Sequence, residues 1–293
     1  MTESDVLVEL DSEALAALVK DIGIPPRPSL LAELQKEVQR DEPRVRVMAG
    51  IAAADVAMSA ALLKTANSPL LGLRRRAETV LEAFMLLGLN QCHVILTEIS
   101  LRNLLPGDGP SMVRYWDVST KRAHAMAFLA RAKRISTPAL AHTFGLFVDV
   151  GIPVLMRRFH KGPVNYLETL GLANQGLAPF TTVERQRHQV DHAVVGSMLA
   201  RTWGVSQTVL LATWLHHDFH VWKTTKPAPL PRSVLELMAL CLVSETIIQR
   251  HQGLNKHAEW QTGGPLAMEI LGLDDDKLNE WCEEVHERFN EAD

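Results

Sequence analysis

Asp55-Val-Ala-Met-Ser-Ala-Ala-Leu-Leu-Lys-Thr-Ala-Asn-Ser68 reads as one helix with both of its ends written into the chain. Asp55 carries a short carboxylate that can accept from the free amides of a first turn, so it is the expected N-cap. Met58, Leu62, Leu63 and Ala66 recur at helical spacing and form the inward face. The helix is expected to stop at Asn67-Ser68-Pro69, where Asn tolerates a left-handed turn and Pro forbids extension.

The same period repeats on both sides. Leu15, Leu18, Val19 and Ile22 make one face, and Leu30, Leu31, Leu34 and Val38 make another. Between them Gly23-Ile24-Pro25-Pro26-Arg27-Pro28 is a stiff connector that cannot be helical. Val80, Ala83, Phe84 and Leu87 form a stripe ending at Gly88, with Asn90 expected to cap the next helix. Trp116, Ser119, Ala123, Ala127 and Ala130 predict a helix from near Ser111, and a second is expected from Pro138 to Val148, broken at Gly151. Residues 160–180 are poorly periodic and read as a connection. Thr181-Thr-Val-Glu184 matches a capping box that opens a helix to about Trp203, and Ser206 is expected to cap a helix reaching His216 or His217. No alternating stretch argues for a strand, so the predicted class is all-α.

Lys223 to Arg232 is proline-rich and extended, and an apolar helix (Val234 to Leu242) and an acidic helix bearing Trp281 and Phe289 follow it. The expected division is an N-terminal helix over 1–22, a main domain over 23–222, and a connector with C-terminal helices over 223–293. Those last helices either pack on the bundle or form a small lobe.

A chain of 293 residues can bury a full core, and its 47% hydrophobic and 22% charged residues match a soluble globular protein. A net charge of −4 gives no electrostatic case for nucleic acid or an anionic membrane as the main partner. Aromatic residues at 5%, without basic interleaving, do not support stacking on single strands. Cys92, Cys241 and Cys282 lack CxxC spacing and read as reduced thiols, which suits a cytoplasm. The acidic start lacks a secretory leader pattern, and no uncharged apolar run long enough to span a membrane is expected. Nucleophile-elbow, Walker A and dinucleotide fingerprints are absent from the sequence.

Histidines carry the remaining chemistry. His188 and His192 share a face if one helix holds both, and His216 and His220 have the same spacing. With Asp149, Asp191 and Asp218 they could offer imidazole and carboxylate ligands to a divalent ion; otherwise they hydrogen-bond near helix ends or are solvated. Arg74-Arg75-Arg76 is a basic cluster that could touch a phosphate or an acidic partner, or form a solvated loop.

Ile24-Pro-Pro-Arg-Pro-Ser29, the Asp55–Ser68 helix and Ala83-Phe-Met-Leu-Leu-Gly88 together resemble the HDOD domain, a bacterial family related to HD and HD-GYP phosphohydrolases. The resemblance continues through Trp116-Asp-Val-Ser119, Gly145-Leu-Phe-Val-Asp-Val-Gly151, Asp191-His-Ala-Val-Val-Gly196, Trp203-Gly204 and His216-His217. Val56 departs from the usual proline. The resemblance implies an HD-like multi-helix bundle with additional C-terminal helices.

Position by position, it also implies a degenerate site. A histidine two residues after the tryptophan of active relatives falls on Val118, and their His-Asp pair falls on Val148 and Asp149. A later aspartate falls near Ser244, while His192, His216 and His217 are kept. In a binuclear HD site the aspartate bridges the ions and positions an attacking water. The expected remainder is a vestigial pocket of Asp149, His192, His216 and His217, scattered and without central ligands, with no catalytic residue. No cofactor is expected beyond a weak divalent metal on those four. Asp149 is then expected to cap the helix near Ile152 or to pair with His192.

The implied function is a non-catalytic, cytoplasmic, regulatory domain of bacterial signal transduction. Its expected partners are separate signalling proteins, through Arg74 to Arg76 or Lys226 to Arg232, rather than nucleic acid or membrane. Two rivals stand beside it: a metal-dependent phosphohydrolase acting on a nucleotide or cyclic dinucleotide, and a nucleotide sensor that binds without cleaving.

Overall fold

The computed structural model describes residues 13–68, 75–107, 109–161, 164–222, 230–253 and 258–292, and among these there is no strand. The helices are α1 (Glu13–Ile22), α2 (Ser29–Val38), α3 (Val45–Ala53), α4 (Val56–Ala66), α5 (Val80–Leu87), α6 (Leu89–Leu104), α7 (Pro110–Lys133) and α8 (Pro138–Phe147). They continue as α9 (Gly151–Arg158), α10 (Tyr166–Ala173), α11 (Phe180–His188), α12 (His192–Thr202), α13 (Gln207–Leu215), α14 (Arg232–His251), α15 (Ala258–Leu271) and α16 (Asp275–Ala292). A 3₁₀ turn at Phe219–Val221 follows α13.

The chain forms two compact units. One comprises Met1–Pro25 with Gly109–Glu283, the other Pro26–Asp108 with Glu284–Asp293. The cuts at 25/26 and 108/109 thus differ from the division expected at 22/23 and 222/223, and α14 lies in the same unit as α7 to α13.

In the smaller unit, Leu31, Leu34, Met48, Leu62, Phe84 and Ile95 are buried. Asp55 Oδ1 accepts from the Met58 amide at 2.9 Å, as the cap signal requires. The other end of α4 works differently from the sequence reading. Asn67 has φ −89° and ψ 4°, so it is not left-handed. Its side chain instead donates to the Ala77 carbonyl at 2.9 Å and accepts from the Ala77 amide at 2.8 Å. One amide thus satisfies both polar groups of a distant backbone position, which pins the loop ends together. Asn90 does not cap α6, because that helix already starts at Leu89, directly after the positive φ of Gly88. Arg75 and Arg76 are exposed, and Arg74 lies outside the described residues.

The larger unit buries Phe144, Phe147, Leu155, Val195, Leu211 and most of α14, a helix apolar around nearly its whole circumference. Helices α7 and α8 pack so closely that a Cβ on Gly145 would lie 2.7 Å from the Ala123 Cα. Gly151 opens α9 rather than merely breaking α8, and a Cβ there would collide with the His192 carbonyl. That close approach holds the turn containing Asp149 against the start of α12.

Three local expectations are corrected here. The 160–180 connection contains α10, capped by Asn165 through the Leu167 amide at 2.8 Å. Thr181 lies inside α11, whose N-cap position is Pro179, so no capping box forms. The predicted single helix to Trp203 is two, because Gln189 turns left-handed (φ 63°) and Asp191 caps α12 through the Val194 amide at 2.8 Å. The stretch Pro138–Arg158 is long and apolar enough to cross a membrane by composition, but 67% of its apolar window is buried inside the protein.

Asn67→Ala is expected to destabilise the protein by about 1–3 kcal/mol, because the Ala77 amide and carbonyl lose their partner. Urea unfolding measures this, and an unchanged midpoint would remove the bridging role.

Candidate functional site

Four side chains from three places in the larger unit converge on one point. Asp149 sits in the turn between α8 and α9, His192 is the first residue of α12, and His216 and His217 follow the end of α13. His192 Nε2 lies 3.3 Å from His216 Nε2 and 3.0 Å from His217 Nε2. Asp149 Oδ1 lies 3.4 Å from His192 Nε2 and 3.6 Å from His216 Nε2. The expectation of scattered ligands is therefore corrected: all four donor atoms fall within 4.8 Å of one another.

The opposite ring nitrogens explain how the imidazoles are held. His192 Nδ1 meets Glu184 Oε2 at 2.7 Å, His216 Nδ1 meets the Thr213 carbonyl at 2.8 Å, and His217 Nδ1 bonds the Glu259 carboxylate. An acceptor at Nδ1 places the proton there, so each neutral ring turns its Nε2 lone pair toward the shared point. Three ring nitrogens and a carboxylate oxygen facing one another favour a positive charge between them.

Electrostatics agree. Burial alone would lower the His192 pKa, but the Glu184 and Asp149 carboxylates outweigh it and hold it well above the usual imidazole value. His217 is likewise raised, with Glu259 overcoming its burial. Burial and the neighbouring His217 charge lower His216. Asp149 is held well below the ordinary carboxylate range despite its burial, by Arg122 and the adjoining imidazoles. Glu184, fully buried, is lowered in spite of burial by His192; it also accepts from the Tyr166 hydroxyl and the His192 amide.

Asp149 has a second oxygen with a different partner. Its Oδ2 receives Arg122 Nη1 at 2.5 Å, and the same Nη1 reaches Glu245 Oε1 at 2.8 Å. Arg122 Nε donates to the Gly145 carbonyl at 3.0 Å, and only 2% of the residue is exposed. The two carboxylates outweigh the burial and keep the guanidinium charged. The site forms the floor of a cleft of about 1840 Å³, whose lining includes Val118, Arg114, Leu177 and Phe180. The Phe180 ring stacks on His217 with centroids 5.6 Å apart and planes within 4°.

Other candidates go elsewhere. His188 bonds Thr169 Oγ1 at 2.8 Å from the end of α11, Asp191 caps α12 and pairs with Arg185 at 2.5 Å, Asp218 accepts from the His220 amide at 3.3 Å, and His220 is exposed. The Asp149 carboxylate does not cap α9; only its backbone oxygen serves that turn, accepting from the Ile152 amide at 2.8 Å. Val148 and Ser244 are fully buried, and the acid of this region is the next residue, Glu245.

The residues missed from sequence are Arg122, Glu184, Tyr166, Glu245 and Glu259. Arg122 had a usable signal, since it lies one helical turn beyond Val118 and so on the same face. Glu184 was hidden by its apparent capping role. The donor set fits one metal ion. It does not fit two, because Asp149 Oδ2, which a second ion would share, already faces the Arg122 guanidinium.

The family model of the HDOD domain matches residues 24–219. The fold is similar to the crystal structure of a presumed phosphohydrolase from Shewanella amazonensis SB2B, with a TM-score of 0.71, 17% identity and 97% of each chain covered. It is also similar to an HDOD domain protein of unknown function from Geobacter sulfurreducens, with a TM-score of 0.65, 18% identity and coverage of 97% of this chain and 99% of that one. A presumed signal transduction protein from Marinobacter aquaeolei VT8 gives a TM-score of 0.67 at 20% identity, over 92% of this chain and 58% of that one. By sequence, the chain is 23% identical over 227 residues to an uncharacterised protein of Treponema pallidum (strain Nichols), covering 76% of this chain. It spans 44% of that relative's length.

A pH dependence follows for the metal-free protein. A histidine raised in the fold stabilises fully below the free imidazole value of about 6.5 and loses that contribution as pH rises through its folded value. His192 and His217 act this way, whereas the lowered His216 acts only below that window. Stability in chelator is expected to fall as pH rises above about 6.5, and more steeply than in His192→Gln. Urea midpoints between neutral and alkaline pH test this, and parallel curves would contradict it.

Proposed function

The chain belongs to the HDOD domain family, and on that premise we propose that it is a non-hydrolytic, cytoplasmic, regulatory domain of bacterial signal transduction, working through contacts with other signalling proteins. The observation that carries this reading is the Arg122 guanidinium on Asp149 Oδ2. Two-ion phosphohydrolysis needs the bridging carboxylate free for both cations and a water held between them. Here one carboxylate oxygen is neutralised by a side chain that cannot ionise water, and Glu245 fixes that side chain from the other side. Val118, Val148 and Ser244 supply no anionic or imidazole donor to displace it.

The signalling role rests on the family together with the name carried by the Marinobacter relative. Buried free cysteines support a reducing compartment. Exposed Arg75 and Arg76 are the basic contact candidates, with Arg75 held loosely at 3.8 Å from Glu82. The open cleft favours a second reading, a sensor that binds a nucleotide without cleaving it. Thermal stabilisation by a nucleotide with no turnover would single out that reading.

Val148→His is expected to show no manganese-dependent turnover of bis-p-nitrophenyl phosphate, as is the unaltered protein. One restored histidine leaves Val118 and Ser244 in place and Arg122 on the bridging carboxylate. Measurable turnover in either protein would overturn the non-hydrolytic reading.

A further inference from the structure

We propose that the mouth of the cleft in the larger unit binds one small amphiphile, an aliphatic chain ending in a single carboxylate. The inference goes beyond the protein-contact reading and stands or falls independently of it.

The apolar wall is the first argument. Ile152 and Met156 lie one turn apart on α9, and Leu167 and Leu170 share a face of α10. Leu177, from the turn before α11, completes this side of the cleft. None of the five is buried: Leu167 is 45% exposed and Leu177 87%. Large apolar side chains left facing water across a concavity mark a binding surface. All five are flexible and aliphatic, so the wall fits an alkyl chain better than a planar ring. Phe180, at the start of α11, already turns one face to His217.

The opposite wall supplies the charge. Ser111, Arg114, Tyr115 and Val118 recur at helical spacing along the face of α7 that lines the cleft. Arg114 is exposed and makes no ion pair among the described residues. The other two arginines of the lining are already taken, Arg122 by Asp149 and Glu245 and Arg185 by Asp191. At 1.5 Å per residue, Arg114 stands about 12 Å along α7 from Arg122, so a head group held there is clear of the Asp149 floor.

The balance of charge then sets the head group. Asp149, Asp218, Glu245 and Glu259 also line the cleft. One unengaged guanidinium among these carboxylates favours a ligand with a single negative charge over a polyphosphate. A carboxylate on Arg114 with its chain across the leucine wall satisfies both sides of the mouth at once.

The test is calorimetric titration of the full-length chain with octanoate, decanoate and dodecanoate, each kept monomeric. One equivalent is expected to bind, with affinity rising about two- to fourfold per added methylene. Leu177→Asp is expected to weaken decanoate roughly tenfold, because the new carboxylate faces the chain. Its urea midpoint is expected to stay unchanged, since Leu177 is exposed. Arg114→Gln is expected to weaken decanoate roughly fivefold and to leave 1-decanol unchanged, which reads the charge alone. Val113→Asp, at a 62% exposed position of α7 outside the cleft, is expected to change neither. No saturable binding, affinity independent of chain length, or decanoate binding untouched by Leu177→Asp would each overturn the proposal. Displacement of decanoate by AMP would overturn it in favour of a nucleotide. Sedimentation with phosphatidylglycerol vesicles, without binding of monomeric decanoate, would overturn it in favour of a membrane surface.

Discussion

Asp149 divides its carboxylate between two positive charges, and the larger unit is arranged around that division. Oδ1 faces the His192 and His216 imidazole nitrogens, and Oδ2 faces a buried guanidinium. An unpaired carboxylate at this depth would be costly, so removing either partner leaves a charge that the surrounding helices cannot solvate. The close passage of Gly151 under the His192 carbonyl and the contact of Gly145 with α7 bring the charged groups within range. Backbone packing and site electrostatics are thus one constraint.

The arrangement also shows how positive charge is kept beside Asp149 where the chain carries valines. Val118 and Val148 have no donors, but the cleft keeps a positive charge beside Asp149, because Arg122 supplies it from one turn along α7. Glu245 balances that charge one position after Ser244. A guanidinium in that place neutralises the buried carboxylate but cannot lower the pKa of a bound water as a metal does.

Much of the fold was legible in the chain. Asp55 as a cap, the inward stripe of α4 and the faces of α7 and α14 follow directly from side-chain chemistry and helical period. The four converging residues were legible too, through resemblance. Their convergence was not, because it depends on where α9 and α12 touch. Glu184 shows the limit plainly. Its spacing from Thr181 imitates a cap, but the left-handed Gln189 ends the helix early and the carboxylate turns inward to His192. Asn67 misled in the same way, since its side-chain bridge to Ala77 satisfies the same composition as a left-handed turn.

The most direct measurement is anomalous diffraction from crystals of the full chain grown with zinc. One peak is expected, centred among Asp149 Oδ1 and the three Nε2 atoms, with the Arg122 guanidinium still on Oδ2. A second peak on the Oδ2 side, about 3.5–4 Å from the first as in two-metal sites, would contradict the one-ion site, and an empty centre would contradict the metal altogether.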